Sequence, residues 1–334
     1  MLIDVLILLA SLGVILGACI VFTNGVEFVG HRFRLHQGAV GSILAAVGTG
    51  MPETVIPIIA ILCYSSKASH DVGMGAIVGA PFMLSTLAMF MTGAAVLVYA
   101  ALKRRTIKIQ VHAAGLRFDL LCFLTMYAVA LVGTFVREIV WLRYLIALCL
   151  MLSYGLYVRH ILKMEHHGME DLEPLMLSRF LRVSPKGRWS ILQVILSLAM
   201  IVVGAHFFVG AVTNVSAALG MPAMILSVLI TPIATELPEK LNSIIWIGKG
   251  KDVLALGNIT GAMVFQSSFP VVFGMLFTPW ELHGATLLAG ALALISGLWL
   301  LLWLRWRRSM NPWALLLGGA FYGIFIAYVM LGGR

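Results

Sequence analysis

Ala46-Val47-Gly48-Thr49-Gly50-Met51-Pro52-Glu53 and Pro232-Ile233-Ala234-Thr235-Glu236-Leu237-Pro238-Glu239 decide the fold. Thr, Pro and Glu coincide in the two stretches at a separation of 186 residues. Downstream, Gly75-Ala76-Ile77-Val78-Gly79-Ala80 matches Gly257-Asn258-Ile259-Thr260-Gly261-Ala262. The order of motifs is the same in both places, so the chain reads as a duplication.

Both copies lie within long apolar runs. The 334 residues are 61% hydrophobic and 11% charged, against roughly 25% charged in soluble domains. A run of about 20 apolar residues crosses a bilayer as a helix. Ten such runs are expected, near 2–29, 38–64, 73–100, 118–136, 139–162, 189–212, 222–247, 252–277, 283–304 and 312–332. The first carries Asp4 and lacks a basic leader and a clear cleavage site, so it is read as a transmembrane helix rather than a signal peptide. The Lys and Arg residues test the count. With the N-terminus outside, eighteen fall on inside loops and four (Lys67, Arg137, Arg143 and Arg334) outside, with Lys240 alone in a span. This positive-inside bias puts both termini outside. The net charge of +9 is spread over short loops with no basic domain, which argues against nucleic acid as a partner; inorganic cations and the lipid bilayer are the expected ones, with no protein partner evident. A bacterial inner membrane is the expected location.

The expected fold is an all-α membrane protein of two five-helix repeats. Residues 1–162 form the first, 163–188 a cytoplasmic linker and 189–334 the second. Five is odd, so the second copy enters the membrane from the opposite side. Inverted repeats of this kind serve alternating access, with the site at the midplane. Spans 2 and 7 carry the Pro-Glu motifs, run antiparallel and can meet there.

The chemistry of those spans suits a cation. A carboxylate in the membrane interior is costly and marks a cavity, an ion pair or an ion site. Glu53, Glu236 and Glu239 are all in mid-span. Pro52, Pro57, Pro232 and Pro238 remove backbone donors and free carbonyls one turn back, so spans 2 and 7 are expected to be discontinuous. Carboxylates with free carbonyls make a hard-oxygen site, fit for calcium, sodium or magnesium. One such motif is as readily a structural kink; two placed symmetrically are not. No phosphate-binding loop, nucleophile elbow or zinc-protease motif occurs, so no enzyme and no cofactor is expected. Cys19, Cys63, Cys122 and Cys149 lack metal or redox spacing and are read as packed thiols.

At these residues the sequence resembles the cation/calcium exchanger superfamily, and most closely its bacterial sodium/calcium antiporter branch. That family carries two Gly-Thr-Ser-x-Pro-Glu signatures, each followed by a Gly-Asn-x-x-Gly-Ser/Ala motif. The resemblance covers both halves. It implies exchange of Ca2+ for Na+, with Glu53 and Glu239 as central metal ligands and the Thr49 and Thr235 carbonyls contributing. Several positions depart from the pattern. The signature serine is Gly50, the first follow-on serine and asparagine are Ala80 and Leu84, and Pro81 stands between them. In the second half Ala262 and Gln266 replace the serine and the usual Asp or Asn. The side-chain oxygens that would hold sodium are thus missing, and a glutamine at position 266 also resembles the cation/proton branch. Ca2+/H+ exchange is therefore the alternative, and a non-transporting scaffold or sensor the alternative of another class.

Glu236 and Lys240 are further departures, four apart, where helical side chains meet. Either Glu236 joins the ion site, or Lys240 neutralises it as a charge partner or occupies a sodium position. Gln266 and Asn258 could line the site or serve helix packing. His206 in span 6 could relay protons or simply pack. Glu27, with Asn24 and His31, reads as a cytoplasmic-end polar cluster. Asp119, beside Arg117, reads as an interfacial charge. His166 and His167, among Glu165, Glu170, Asp171 and Glu173, read as a solvated linker.

Overall fold

The computed structural model describes residues 1–32, 50–164, 174–180 and 187–332. Among them the chain is almost entirely helical. In order, the elements are α1 (Leu2–Arg32), α2 (Met51–Leu62), α3 (Lys67–Met83), a π-helical turn (Leu84–Ala88), α4 (Met89–Ala101), α5 (Ala113–Val132), α6 (Val140–Met164), the short α7 (Met176–Phe180), α8 (Gly187–Leu219), α9 (Ala223–Gly248), α10 (Asp252–Gln266), α11 (Phe269–Phe277), α12 (Ala285–Arg307) and α13 (Pro312–Met330). Eight spans among the described residues are long and apolar enough to cross a membrane, and Glu53–Leu62 and Ala223–Ile233 are shorter apolar helices. In lipid the backbone must satisfy its own hydrogen bonds, which is why apolar runs of this length become helices.

The caps follow from sequence. Ser66 caps α3, its hydroxyl accepting from the Ser69 amide at 3.1 Å. Asn311 caps α13 by accepting from the Trp313 amide at 3.0 Å, with Pro312 at the first helical position, where proline loses no helical bond.

The molecule is organised around α3 and α9, which pack closely. Gly79 makes this possible: a Cβ there would stand 2.7 Å from the Val228 carbonyl oxygen and 2.8 Å from Pro232 Cγ. Ser227 adds a hydrogen bond to the Val72 carbonyl at 2.6 Å. α1 lies along α8, and with α2 they enclose one apolar cluster that includes Ile15, Phe22, Ile56 and Phe208. The second cluster joins α3, α5 and the helices from α10 onward around Phe82, Phe123, Tyr127 and Trp280.

One expectation about helix breaks is corrected. The second motif helix was expected to be discontinuous, yet α9 runs unbroken from Ala223 to Gly248 through Pro232 and Pro238. Prolines are tolerated in membrane helices when neighbours cover the freed groups. The carbonyl that Pro232 deprives of its donor is that of Val228, and it is the one Gly79 packs against. The Ser227 and Thr231 hydroxyls bond each other at 2.9 Å, and Thr235 donates back to the Thr231 carbonyl at 3.0 Å. The break lies instead in the next span. α10 ends at Gln266, Ser268 adopts φ −121 and ψ −87, and α11 starts at Phe269 with Pro270 in its first turn. In the first half α2 begins at Met51; residues 38–49 of the expected second span lie outside the described residues.

The π turn follows Pro81 in α3. Ser296 of α12 donates to the Ser85 carbonyl at 2.6 Å, and Gly318 of α13 packs its backbone on Thr86. Single π turns are costly and concentrate at sites of special geometry; here two neighbouring helices hold one in place.

Candidate ion site

Glu53 lies in the first turn of α2, after Pro52, and is buried at 4% exposure. The amide dipoles at a helix start favour negative charge there. Thr54 steadies the turn by donating to the Gly50 carbonyl at 2.7 Å. Pro57, inside α2, has no N–H to offer the carbonyl of Glu53. One buried residue thus carries both a carboxylate and a carbonyl without its usual helical donor. α2 touches α3, α8, α9 and α11.

On α9, Thr235, Glu236 and Lys240 are buried. Lys240 Nζ stands 2.8 Å from Glu236 Oε2, with both side chains at most 2% exposed. The contact expected of residues four apart on a helix is thus present. Glu239 lies between them on α9 and its side chain is outside the described ones; Thr49 is also outside the described residues. Pro238 leaves the carbonyl of Ala234, the neighbour of Thr235, without a helical donor.

Gln266 is the last residue of α10, directly before the break. It is 2% exposed, and its amide oxygen has no hydrogen-bond donor among the described residues. A buried amide acceptor left unpaired costs about 1–3 kcal/mol, so an oxygen in this state is suited to an ion. Asn258, two turns earlier on α10, is half-buried. Because α9 packs against α2, α3 and α10, the helices carrying Glu53, Glu236, Lys240 and Gln266 converge.

In the first half the follow-on positions are apolar and tightly buried: Ala80 is 1% and Leu84 0% exposed. His206 does not join the site. It is exposed on α8, where its ring stacks on Tyr64 at 5.1 Å, and lines an outer cleft with Asp4 and Asn214. Asn24 is a structural anchor. It accepts from the Met176 amide at 2.9 Å and from Gln193 Nε2 at 3.0 Å, tying α7 to α1 and α8. The linker histidines 166 and 167 and the side chains of Glu27 and His31 lie outside the described residues.

Asp119 was misjudged from sequence. It is buried rather than interfacial, accepting from Tyr157 at 3.0 Å and from Thr260 at 2.7 Å. It joins α5 and α6 to α10 inside the bundle. The sequence signal available was its distance from the helix start: Asp119 is the seventh residue of α5, two turns in. A second buried acid, Asp252 at the start of α10, takes both guanidinium nitrogens of Arg105, at 2.6 and 2.8 Å.

The chain matches the family model described as sodium/calcium exchanger protein over residues 3–163 and 189–332. It is 32% identical over 91 residues to CaxA of Alkalimonas amylolytica, a protein named as an antiporter; this match spans 27% of the chain and 28% of that relative's length. Its fold resembles the crystal structure of the H+/Ca2+ exchanger CAX, with a TM-score of 0.72 at 15% identity over 98% of this chain and 82% of that one. It also resembles the sodium-calcium exchanger NCX_Mj, with a TM-score of 0.60 at 19% identity over 98% of both chains. The chain therefore belongs to the sodium/calcium exchanger family, multi-pass membrane proteins that exchange cations.

Proposed function

We propose that this chain is a secondary antiporter that moves Ca2+ across the membrane in exchange for Na+ by alternating access. The observation that carries the reading is Glu53, a carboxylate buried at 4% exposure in the first turn of an apolar helix. Glu53 and Glu239 are the central ligands, aided by the Thr49 and Thr235 carbonyls, Asn258 and the unpaired Gln266 oxygen. Oxygen donors of this kind, charged and neutral together, suit Ca2+. The ten spans form two inverted repeats, 1–162 and 189–334, joined by a cytoplasmic linker, with both termini outside a bacterial inner membrane. The two segments matched by the family model fall on either side of that linker, which supports the division.

A second reading, exchange for H+, is favoured by one observation. Buried Ala80 and Leu84 stand where the resemblance expects sodium-binding oxygens. Ca2+ uptake into proteoliposomes under an imposed Na+ gradient or an imposed pH gradient separates the two. Uptake driven by sodium is expected; uptake indifferent to sodium and driven by pH would sink the sodium version. Uptake under neither gradient, from protein shown to be folded, would sink both and leave a scaffold.

A further inference from the structure

The Glu236–Lys240 pair calls for an account beyond packing. A buried ion pair is rarely more stabilising than two apolar side chains of similar size, because both charges must leave water. Inside a membrane such residues mark function by default. Among the described residues Lys240 is the single buried lysine. Arg105, the other basic side chain withdrawn from solvent, is engaged by Asp252 at the start of α10. Glu236 also lies about one turn before Glu239 on α9, and Lys240 directly follows it.

Counting charges gives the pair a role. Glu53, Glu236 and Glu239 together carry three negative charges, and Lys240 carries one positive. The net of minus two is what one divalent cation, or two monovalent cations, neutralises. The same carboxylates without Lys240 would need a divalent cation and a monovalent one together. We infer that the Lys240 ammonium is a built-in monovalent cation: held against Glu236 at 2.8 Å, it takes the place of one bound counter-ion and sets the site's charge to that of a single divalent ion. This rests on the reading of Glu53 and Glu239 as ligands and deepens it. It also fits the apolar first half, where Ala80 and Leu84 offer no side chain to a further small cation.

The test is calorimetric titration of Ca2+ into the purified full chain in lipid nanodiscs, at low and constant ionic strength. Lys240→Gln removes the charge and keeps a donor for Glu236. Glu236→Gln removes the acid and leaves the ammonium. A unit charge about 6 Å from a divalent ion changes affinity roughly tenfold even at the dielectric constant of water. Lys240→Gln is therefore expected to bind Ca2+ about tenfold more tightly than the wild type, and Glu236→Gln about tenfold more weakly. The double variant, net minus two again, is expected to return close to the wild type. A pair too far from the ligands to count in the site's charge would shift the affinity in neither variant. If both single variants shift in the same direction, or neither shifts, the inference is overturned while the ligand assignment stands. If folded wild-type protein binds no Ca2+, the calcium-exchange reading fails and the inference falls with it. Should Lys240→Gln not fold, Lys240→Met carries the same expectation.

Discussion

The Arg105–Asp252 pair offers a quantitative test of how α10 is held. Arg105 donates to Asp252 Oδ1 at 2.6 Å and Oδ2 at 2.8 Å, and also to the carbonyls of Ile247 at 2.7 Å and Lys108 at 3.0 Å. Asp252 accepts additionally from the Gln110 amide at 2.9 Å. The side chains are 7% and 2% exposed. In Arg105→Met the carboxylate stays buried with one backbone donor. Breaking a buried pair in this way costs about 3–5 kcal/mol. In Arg105→Met with Asp252→Leu no buried charge is stranded. What remains is the loss of the Arg105 bonds to the Thr106, Lys108 and Ile247 carbonyls and of the acceptor for the Gln110 amide; the Thr106 and Lys108 bonds are exposed to water, so the other two dominate at about 1 kcal/mol each, and the double variant should cost roughly 2 kcal/mol. Thermal midpoints of the detergent-solubilised protein, read at one scan rate, measure the difference. Arg105→Met is expected to unfold roughly 6–15 °C below the wild type, and adding Asp252→Leu should recover roughly a third to three fifths of that. A single variant within about 1 kcal/mol of the wild type, or a double variant worse than either single, would refute the argument that the pair is a buried, mutually dependent clamp.

Glu53→Gln and Glu239→Gln should each abolish stabilisation by Ca2+ while leaving the Ca2+-free midpoint near the wild type; retained stabilisation in either would remove that residue from the site. Gly79→Val forces carbon against the Val228 carbonyl and Pro232 and should cost about 1–3 kcal/mol or more; an unshifted midpoint would show that α3 and α9 can separate freely. Asp119→Leu strands the Tyr157 hydroxyl, while Thr260 keeps the Leu256 carbonyl as acceptor, and should destabilise by about 1–3 kcal/mol, with Asp119→Asn milder because it keeps an acceptor oxygen. Equal effects of the two would mean that acceptance by Asp119 is not what matters.

Much of this was legible in the sequence, because in a bilayer composition and backbone satisfaction leave few options. Apolar runs became helices, and the burial of Glu53, Glu236 and Gln266 followed from their depth in those runs. The Glu236–Lys240 pair was legible from a spacing of four. Helix breaks were not. Proline removes a donor wherever it stands, but whether the helix parts depends on what lies opposite. At Pro232 a glycine on another helix fits against the freed carbonyl; after Gln266, Pro270 has no N–H for the carbonyl four residues back, and the helix turned aside at Ser267 and Ser268. Asp119 was misread for a related reason. Its partners, Tyr157 and Thr260, are 38 and 141 residues away, so no local pattern announced them. Arg117 beside it suggested a water-facing boundary instead.

The π turn at Leu84–Ala88 bears on how such a chain changes over generations. A π turn houses one residue more than the α-helix around it, so it is a place where a length change fits inside a helix without moving either end. Losing one residue between Pro81 and Met89 would let α3 and α4 run on as a regular helix. Everything beyond would keep its place, with Gly93 still against Pro312 and Leu315, while its numbering moved by one. Relatives with a straight third span should therefore be one residue shorter here, and should carry different partners for Ser296 and Gly318. A comparison that ignores the offset would pair residues pointing to different sides of the helix, and would misassign the polar residues of its second half.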